Sequence, residues 1–118
     1  MRNNLPVINV YKKNNTKSEV VTQLLYGETF KKLQKKGIWI KIKNDSDNYK
    51  GFIKKSNFPQ NQKNSHKVCN LKASIYLKPN NKNKISRQLS FGSKIKVTEK
   101  KKNFYKFDNF WIKKKNLK

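Results

Sequence analysis

Residues 23–27 read Gln-Leu-Leu-Tyr-Gly, and residues 88–92 read Gln-Leu-Ser-Phe-Gly, so one short motif occurs twice at a spacing of 65 residues. Apolar and aromatic residues around the motif recur at the same spacing: Val20 with Ile85, Phe30 with Ile95, Trp39 with Phe104, Ile40 with Tyr105, and Ile42 with Phe107. Residues 52–58 match residues 111–117 at a shorter spacing of 59, so the second copy lacks six residues between Ile42 and Gly51. Self-similarity at a fixed spacing indicates a duplicated structural unit.

The residue pattern of each copy predicts β-structure. Short runs rich in β-branched and aromatic residues alternate with Asn-, Asp- and Gly-containing turn segments, and no stretch has the apolar spacing of a helix. The five runs of the first copy cover residues 7–10, 20–25, 29–33, 38–43 and 49–53. The sequence therefore predicts an all-β fold with two small antiparallel barrels in tandem, residues 1–58 and 66–118, joined by a polar linker at residues 59–65.

The charge of the chain is strongly basic, with 30 Lys+Arg against 6 Asp+Glu among 118 residues and a formal net charge of +24. Such a charge is typical of nucleic-acid partners, and a basic nucleic-acid-binding barrel is one alternative function. However, every basic residue except Arg2 and Arg87 is lysine, while Asn is abundant and Ala and Gly are rare. An A/T-rich genome produces this composition without a nucleic-acid partner, and base recognition favours Arg over Lys. We therefore expect mutational bias to be the main cause of the charge.

The scarcity of reactive side chains argues against catalysis by this chain alone. His66 and Cys69 are the single histidine and the single cysteine, so we expect no disulfide, no metal site and no cofactor. The two residues are three positions apart, so on a strand their side chains face opposite sides. We expect Cys69 to be a small buried residue and His66 to lie in the linker. No apolar run reaches membrane-spanning length, and residues 1–6 show no apolar signal segment. We expect a cytoplasmic location, with association with the cell envelope if the chain is a fragment.

Three motifs of the first copy occur in a characteristic order. Residues 18–28 read Ser-Glu-Val-Val-Thr-Gln-Leu-Leu-Tyr-Gly-Glu, residues 37–42 read Gly-Ile-Trp-Ile-Lys-Ile, and residues 47–53 read Asp-Asn-Tyr-Lys-Gly-Phe-Ile. This order resembles the bacterial SH3 region at the N-terminus of NlpC-type cysteine peptidases that cut murein peptides, the dipeptidyl-peptidase VI type. The chain departs from that pattern at Asn48, which replaces a glycine, and at Phe52, which replaces a tryptophan. The second copy matches more loosely, at residues 85–92 and 110–112.

The resemblance implies a non-catalytic role in recognising a murein peptide. In that family, the first SH3 domain closes one end of the substrate cleft and supplies a Glu and a Tyr that recognise the free α-amino end of the peptide. Those roles fall on Glu28 of the Tyr-Gly-Glu motif and on Tyr49 of the Tyr-x-Gly-aromatic motif. Family members continue into a papain-like catalytic domain, so we expect a separate or lost catalytic domain as a partner. A stand-alone module that binds cell wall or peptide is a second alternative.

The distribution of carboxylates also favours the first copy as the binding copy. Glu28 corresponds to Ser93 in the second copy, and Asp45, Asp47 and Tyr49 lie in the stretch that the second copy lacks. A carboxylate beside an aromatic ring suits an ammonium group, through charge pairing and cation–π contact. We therefore expect supporting roles for Asp45 and Asp47. The structural alternatives are that Glu28 only pairs with a neighbouring lysine and that Tyr49 covers the core.

The remaining aromatic and lysine-rich segments are explained by folding alone. We expect the large aromatics to form the cores: Phe30, Trp39, Phe104 and Trp111. We expect the lysines at positions 35–36 and 100–102 to be solvated ends of hairpins.

Overall fold

Antiparallel strands make up nearly all of the regular structure in the computed structural model, which describes residues 1–118 and contains no α-helix. The first half contains β1 (Ile8–Tyr11), β2 (Val20–Leu24), β3 (Phe30–Lys36), β4 (Trp39–Asn44) and β5 (Lys50–Lys54). The second half contains β6 (His66–Lys67), β7 (Lys72–Tyr76), β8 (Lys84–Ser90), β9 (Lys94–Ile95), β10 (Glu99–Lys101), β11 (Phe104–Phe107) and β12 (Phe110–Lys113). Single 3-10 turns cover Asn81–Asn83 and Lys114–Asn116. The predicted all-β, SH3-like fold is confirmed.

The chain divides into two compact units, Met1–Asn61 and Gln62–Lys118. The first unit has a five-stranded sheet in the order β2-β1-β5-β4-β3, and the second has one in the order β10-β11-β12-β7-β8. Read in reverse, the second order places β8, β7, β12, β11 and β10 where the first unit has β2, β1, β5, β4 and β3. Each unit therefore has the same strand connectivity. The second unit also contains a two-stranded ladder between β6 and β9.

The segment before the first strand of each sheet is held by the same backbone bonds. In the first unit, the Asn3 amide donates to the Glu28 carbonyl (2.8 Å), and the Gly27 amide donates to the Asn3 carbonyl (2.7 Å). In the second unit, Val68 makes the equivalent bonds with Ser93 (2.8 Å) and Gly92 (3.0 Å). These contacts occur at the sequence spacing of 65 residues, so the repeat in sequence is also a repeat in hydrogen bonding.

Each unit has its own apolar core. The first core consists of aliphatic residues around one phenylalanine: Val10, Leu24, Phe30, Ile40, Ile42 and Ile53. An aromatic cluster of Tyr76, Phe104 and Trp111 forms part of the second core. Trp39 is also buried, with its ring edge-on to Tyr11 at 6.0 Å. The predicted burial of the four large aromatics is confirmed.

The two units differ most in the hairpin before the last strand of each sheet. Ile42 pairs with Gly51 across eight residues in the first unit, whereas the equivalent Phe107 pairs with Phe110 across two residues in the second, a difference of six. The predicted loss of residues in the second copy lies in this hairpin. The first unit therefore carries a long β4–β5 turn that has no counterpart in the second.

Two expectations about the start of the second unit need correction. His66 is not a linker residue, because it lies in β6, where its ring contacts Tyr105 at a centroid distance of 5.6 Å. Cys69 is half-buried rather than fully buried, because it lies at the unit's edge next to the Lys114–Asn116 turn, and its backbone amide donates to the Asn116 carbonyl (2.8 Å). No helix of the chain combines the length and the apolar character needed to cross a membrane.

Candidate functional site

The long β4–β5 turn holds three of the four predicted site residues in a fixed backbone conformation. The Asn44 amide donates to the Tyr49 carbonyl (2.9 Å), and the Asn48 amide donates to the Asn44 carbonyl (3.0 Å). Asn48 has a φ of 60°, in the left-handed region that glycine and asparagine tolerate best. This geometry explains why asparagine can stand here in place of the glycine of the family that the sequence resembles.

Asp47 fixes the position of Tyr49 within the turn. One carboxylate oxygen, Oδ1, accepts a hydrogen bond from the Tyr49 amide (3.0 Å), which is the local Asx bond that stabilises turns. The other oxygen, Oδ2, accepts a hydrogen bond from the Thr22 hydroxyl on β2 (2.7 Å). Asp47 thereby ties the turn to a strand 25 residues earlier in the chain.

Asp45 ties the same turn to the start of β3. Its Oδ2 accepts a hydrogen bond from the Thr29 hydroxyl (2.6 Å), and its backbone amide donates to the Thr29 carbonyl (3.2 Å). Thr29 directly follows Glu28 in the chain. The structure therefore brings the turn of Asp45, Asp47 and Tyr49 to the segment that carries Glu28.

Tyr49 presents its side chain to solvent, with 57% of its surface exposed. Tyr49 is therefore not one of the buried core residues. An exposed ring on a hydrogen-bonded turn, with carboxylates two and four positions before it, combines an aromatic face with negative charge. Lys43 and Lys50 pair at the base of the turn, so the carboxylates also offset local positive charge.

Glu28 has a structural role that the sequence pattern did not predict. Its Oε1 accepts a hydrogen bond from the Leu25 amide (2.7 Å), and its own amide donates to the Leu25 carbonyl (3.1 Å). These bonds close the turn in which Gly27 adopts a φ of 84°. A carboxylate can accept about four hydrogen bonds, so this contact leaves Glu28 with acceptor capacity for a ligand.

Thr22 and Thr29 complete the site, although sequence reasoning did not single them out. Each donates a hydroxyl hydrogen bond to one of the turn aspartates. A signal did exist, because Thr22 stands within one predicted strand run and Thr29 at the start of the next. No group of three or more His, Cys, Asp or Glu side chains is placed to hold a metal ion.

Comparison with known proteins shows that the first unit is similar to a known domain family. Residues 6–59 match the bacterial SH3 domain model, and this range includes β1–β5, Glu28 and Tyr49. No curated protein matches the sequence.

A solved structure has the same fold over nearly the whole chain. An NlpC/P60 family protein from Bacillus cereus ATCC 10987 superposes with a TM-score of 0.80 at 14% sequence identity. The match covers 99% of this chain and 55% of that protein, so the present chain spans little more than half of its length. At this identity the similarity shows a common fold. The family match and the common fold show that residues 6–59 are similar to bacterial SH3 domains.

Proposed function

We propose that the chain is a non-catalytic tandem SH3 module of a cell-wall-peptide cysteine peptidase of the dipeptidyl-peptidase VI type. In this proposal the first unit recognises the free amine end of a murein peptide. The observation that carries it is the exposed Tyr49 ring on a turn fixed by Asp45 and Asp47. The second unit serves as a second SH3 domain, and its strand order, equivalent to that of the first, supports this assignment.

The chemistry of the turn suits a small ammonium group. An α-ammonium pairs with carboxylates and makes cation–π contact with the face of a tyrosine ring. Because Asp47 and Asp45 are held by threonine hydroxyls and Asp47 holds the Tyr49 amide, the carboxylates and the Tyr49 backbone need little reordering when a ligand binds. Glu28 lies on the neighbouring segment and adds a third carboxylate.

In this proposal another domain cleaves the peptide bond. Neither Cys69 nor His66 lies in the turn that carries Tyr49, and both belong to the second unit. The NlpC/P60 family protein extends well beyond the region that this chain matches. A catalytic domain, on the same polypeptide or on a partner, would supply the nucleophile, and the SH3 module would set which end of the peptide enters.

The test is whether the chain binds a short peptide with a free L-alanyl amine. Isothermal titration calorimetry measures the affinity. We expect the wild-type chain to bind the peptide weakly. The Tyr49→Ala variant should bind it about fivefold more weakly, because it loses about 1 kcal/mol of cation–π energy. Phe91→Ala is the matched control, because Phe91 is an aromatic residue of the second unit with a similar exposed fraction of 55%. This control should bind like the wild type.

Two results would contradict the proposal. One is an equal loss of affinity in Tyr49→Ala and Phe91→Ala. The other is no binding of the peptide both by the chain alone and by the chain reconstituted with an NlpC-type catalytic domain.

A further inference from the structure

A lysine-lined groove occurs at the same place in both units, away from the Tyr49 turn. In the second unit it is a cavity of about 520 Å³ between the β10–β11 connection and the segment after β12, lined by Asn103, Phe104 and residues 113–115. In the first unit it is a cavity of about 500 Å³ between the β3–β4 connection and the segment after β5, lined by Ile38 and residues 54–57.

The two grooves are equivalent in their backbone bonds as well as in sequence. The Lys114 amide donates to the Asn103 carbonyl (2.8 Å), and the Lys55 amide donates to the Ile38 carbonyl (2.7 Å). The repeat spacings pair Ile38 with Asn103 and Lys55 with Lys114. A groove built twice by the same bonds is a feature of the fold and not an accident of one loop.

Positive charge dominates the groove of the second unit. Residues 113–115 are all lysine, and a neighbouring cavity of about 470 Å³ shares Asn103 and Phe104 and adds Lys101 and Lys102. The nearby carboxylate is Glu99, whose oxygen lies 3.8 Å from the Lys101 ammonium. Asp108 lies in the connection at the other end of β11. Lysines therefore outnumber carboxylates around this groove.

The groove of the first unit shows the same imbalance. The ammonium groups of Lys35 and Lys32 lower the pKa of Lys55, through a side-chain contact with Lys35 and through charge repulsion. Asp45 and Asp47 follow the far end of β4, and Asp45 is about 23 Å along the strand from Ile38 at the usual rise per residue. The unit therefore carries Asp45 and Asp47 at one end of β4 and a lysine cluster at the other.

We propose that these grooves bind the phosphates of a phosphodiester chain. The lysine ammonium is a compact charge that pairs with phosphate oxygens, and a chain of phosphates can contact several lysines in one groove. The aromatic residue at the floor of the larger groove, Phe104, is only 9% exposed and offers little ring surface for a base. The contacts are therefore with phosphates and not with bases.

The experiment compares two triple variants with the same change of charge. The groove variant is Lys102→Gln, Lys114→Gln and Lys115→Gln, and the control variant is Lys72→Gln, Lys94→Gln and Lys96→Gln. All six side chains are exposed, and the control positions line no cavity described above. The probes are a fluorescent oligo(dT) and an abasic phosphodiester chain of equal length, and the readout is fluorescence anisotropy. Circular dichroism confirms that both variants fold.

The proposal predicts a loss specific to the groove. Over about 50 to 200 mM salt, the groove variant should bind both probes at least about tenfold more weakly, and its slope of log K against log salt should fall by about 2. The control variant should stay within about threefold of the wild type, because only its long-range charge changes. Both probes should bind the wild type equally.

Three results would overturn the proposal. Equal losses in the two variants would mean that only net charge attracts the probes. An absence of wild-type binding at these salt concentrations would exclude a phosphodiester site. Binding of oligo(dT) but not of the abasic chain would show that bases, and not phosphates, are recognised.

Discussion

At the scale of single residues, Gly51 on β5 permits the close approach of β1. A Cβ at this position would lie 2.6 Å from the Tyr11 carbonyl oxygen and 2.6 Å from Val10 Cγ1. Because the carbonyl is backbone, it cannot rotate away. We expect Gly51→Ala to destabilise the first unit by about 3 kcal/mol, the upper end for overpacking.

The matched variant for Gly51 is Gly37→Ala. Its Cβ would meet nothing within 4 Å, although the φ of 59° is unfavourable for alanine. We expect this change to cost about 1 kcal/mol. Hydrogen exchange of the β4 amides measures the stability of both variants in the full chain. A larger loss of stability in Gly37→Ala than in Gly51→Ala would contradict the packing argument.

Glu28 offers a way to separate folding from binding at one position. Glu28→Ala removes the acceptor of the Leu25 amide and should destabilise the first unit by about 1.5 kcal/mol, measured by thermal unfolding. Glu28→Gln keeps an acceptor oxygen, so it should cost less stability while it still removes the charge that an ammonium needs. An alanine variant as stable as the wild type would show that the turn does not depend on this bond.

Sequence motifs anticipated part of the site and missed the rest for a physical reason. Asp45, Asp47 and Tyr49 are close in sequence, so their common turn could be predicted from the chain alone. The bonds from Thr22 and Thr29 join residues 25 and 16 positions apart, and they depend on how the strands align. Strand alignment is set by the packed core, which no local motif describes.

At the scale of elements, the sequence placed the strands of the first unit within a few residues. The runs at residues 20–25 and 38–43 correspond to β2 and β4, because β-branched and aromatic residues separated by turn residues carry a strong local signal. The pairing of Arg2 with Thr29 and the two-residue strands β6 and β9 were not predicted. Such short pairings are too short to leave a periodic pattern in the sequence. The surrounding barrel holds them in place.

The lysines of β3 and of the segment after β5 form an electrostatic cluster that can be titrated. Lys35 is the main cause of the lowered pKa of Lys55, so Lys35→Gln should move the Lys55 pKa back towards 10.5. The nuclear magnetic resonance shift of the Lys55 Cε, followed against pH, measures the change. Lys12→Gln is the control, and an unchanged Lys55 titration in Lys35→Gln would contradict the cluster.

The same cluster has a defined effect on stability. Because the folded-state pKa of Lys55 is lowered, the unfolded chain binds more protons between that pKa and 10.5. The contribution of Lys55 is therefore unfavourable at lower pH, where it is charged, and this penalty is relieved as the pH rises through the folded pKa towards 10.5. Lys35→Gln should make this pH dependence smaller.

At the scale of the whole molecule, the net charge of +24 opposes folding through self-repulsion. Salt screens this repulsion, so raising the salt concentration should stabilise the chain. We expect a gain of about 1 kcal/mol, which corresponds to an increase of about 4–8 °C in Tm for units of this size. Thermal unfolding in sodium chloride measures the effect. A Tm that falls or stays constant would mean that the surface charges do not repel one another appreciably.

We propose that the first unit recognises the free amine of a peptide at the Tyr49 turn. The most direct measurement is the nuclear magnetic resonance mapping of amide shifts when the full chain is titrated with an L-alanyl peptide and with its N-acetylated form. The free peptide should shift the amides of Tyr49, Asp47, Thr29 and Glu28, and the acetylated peptide should leave them unchanged. Equal shifts with both peptides, or shifts confined to other residues, would contradict the claim.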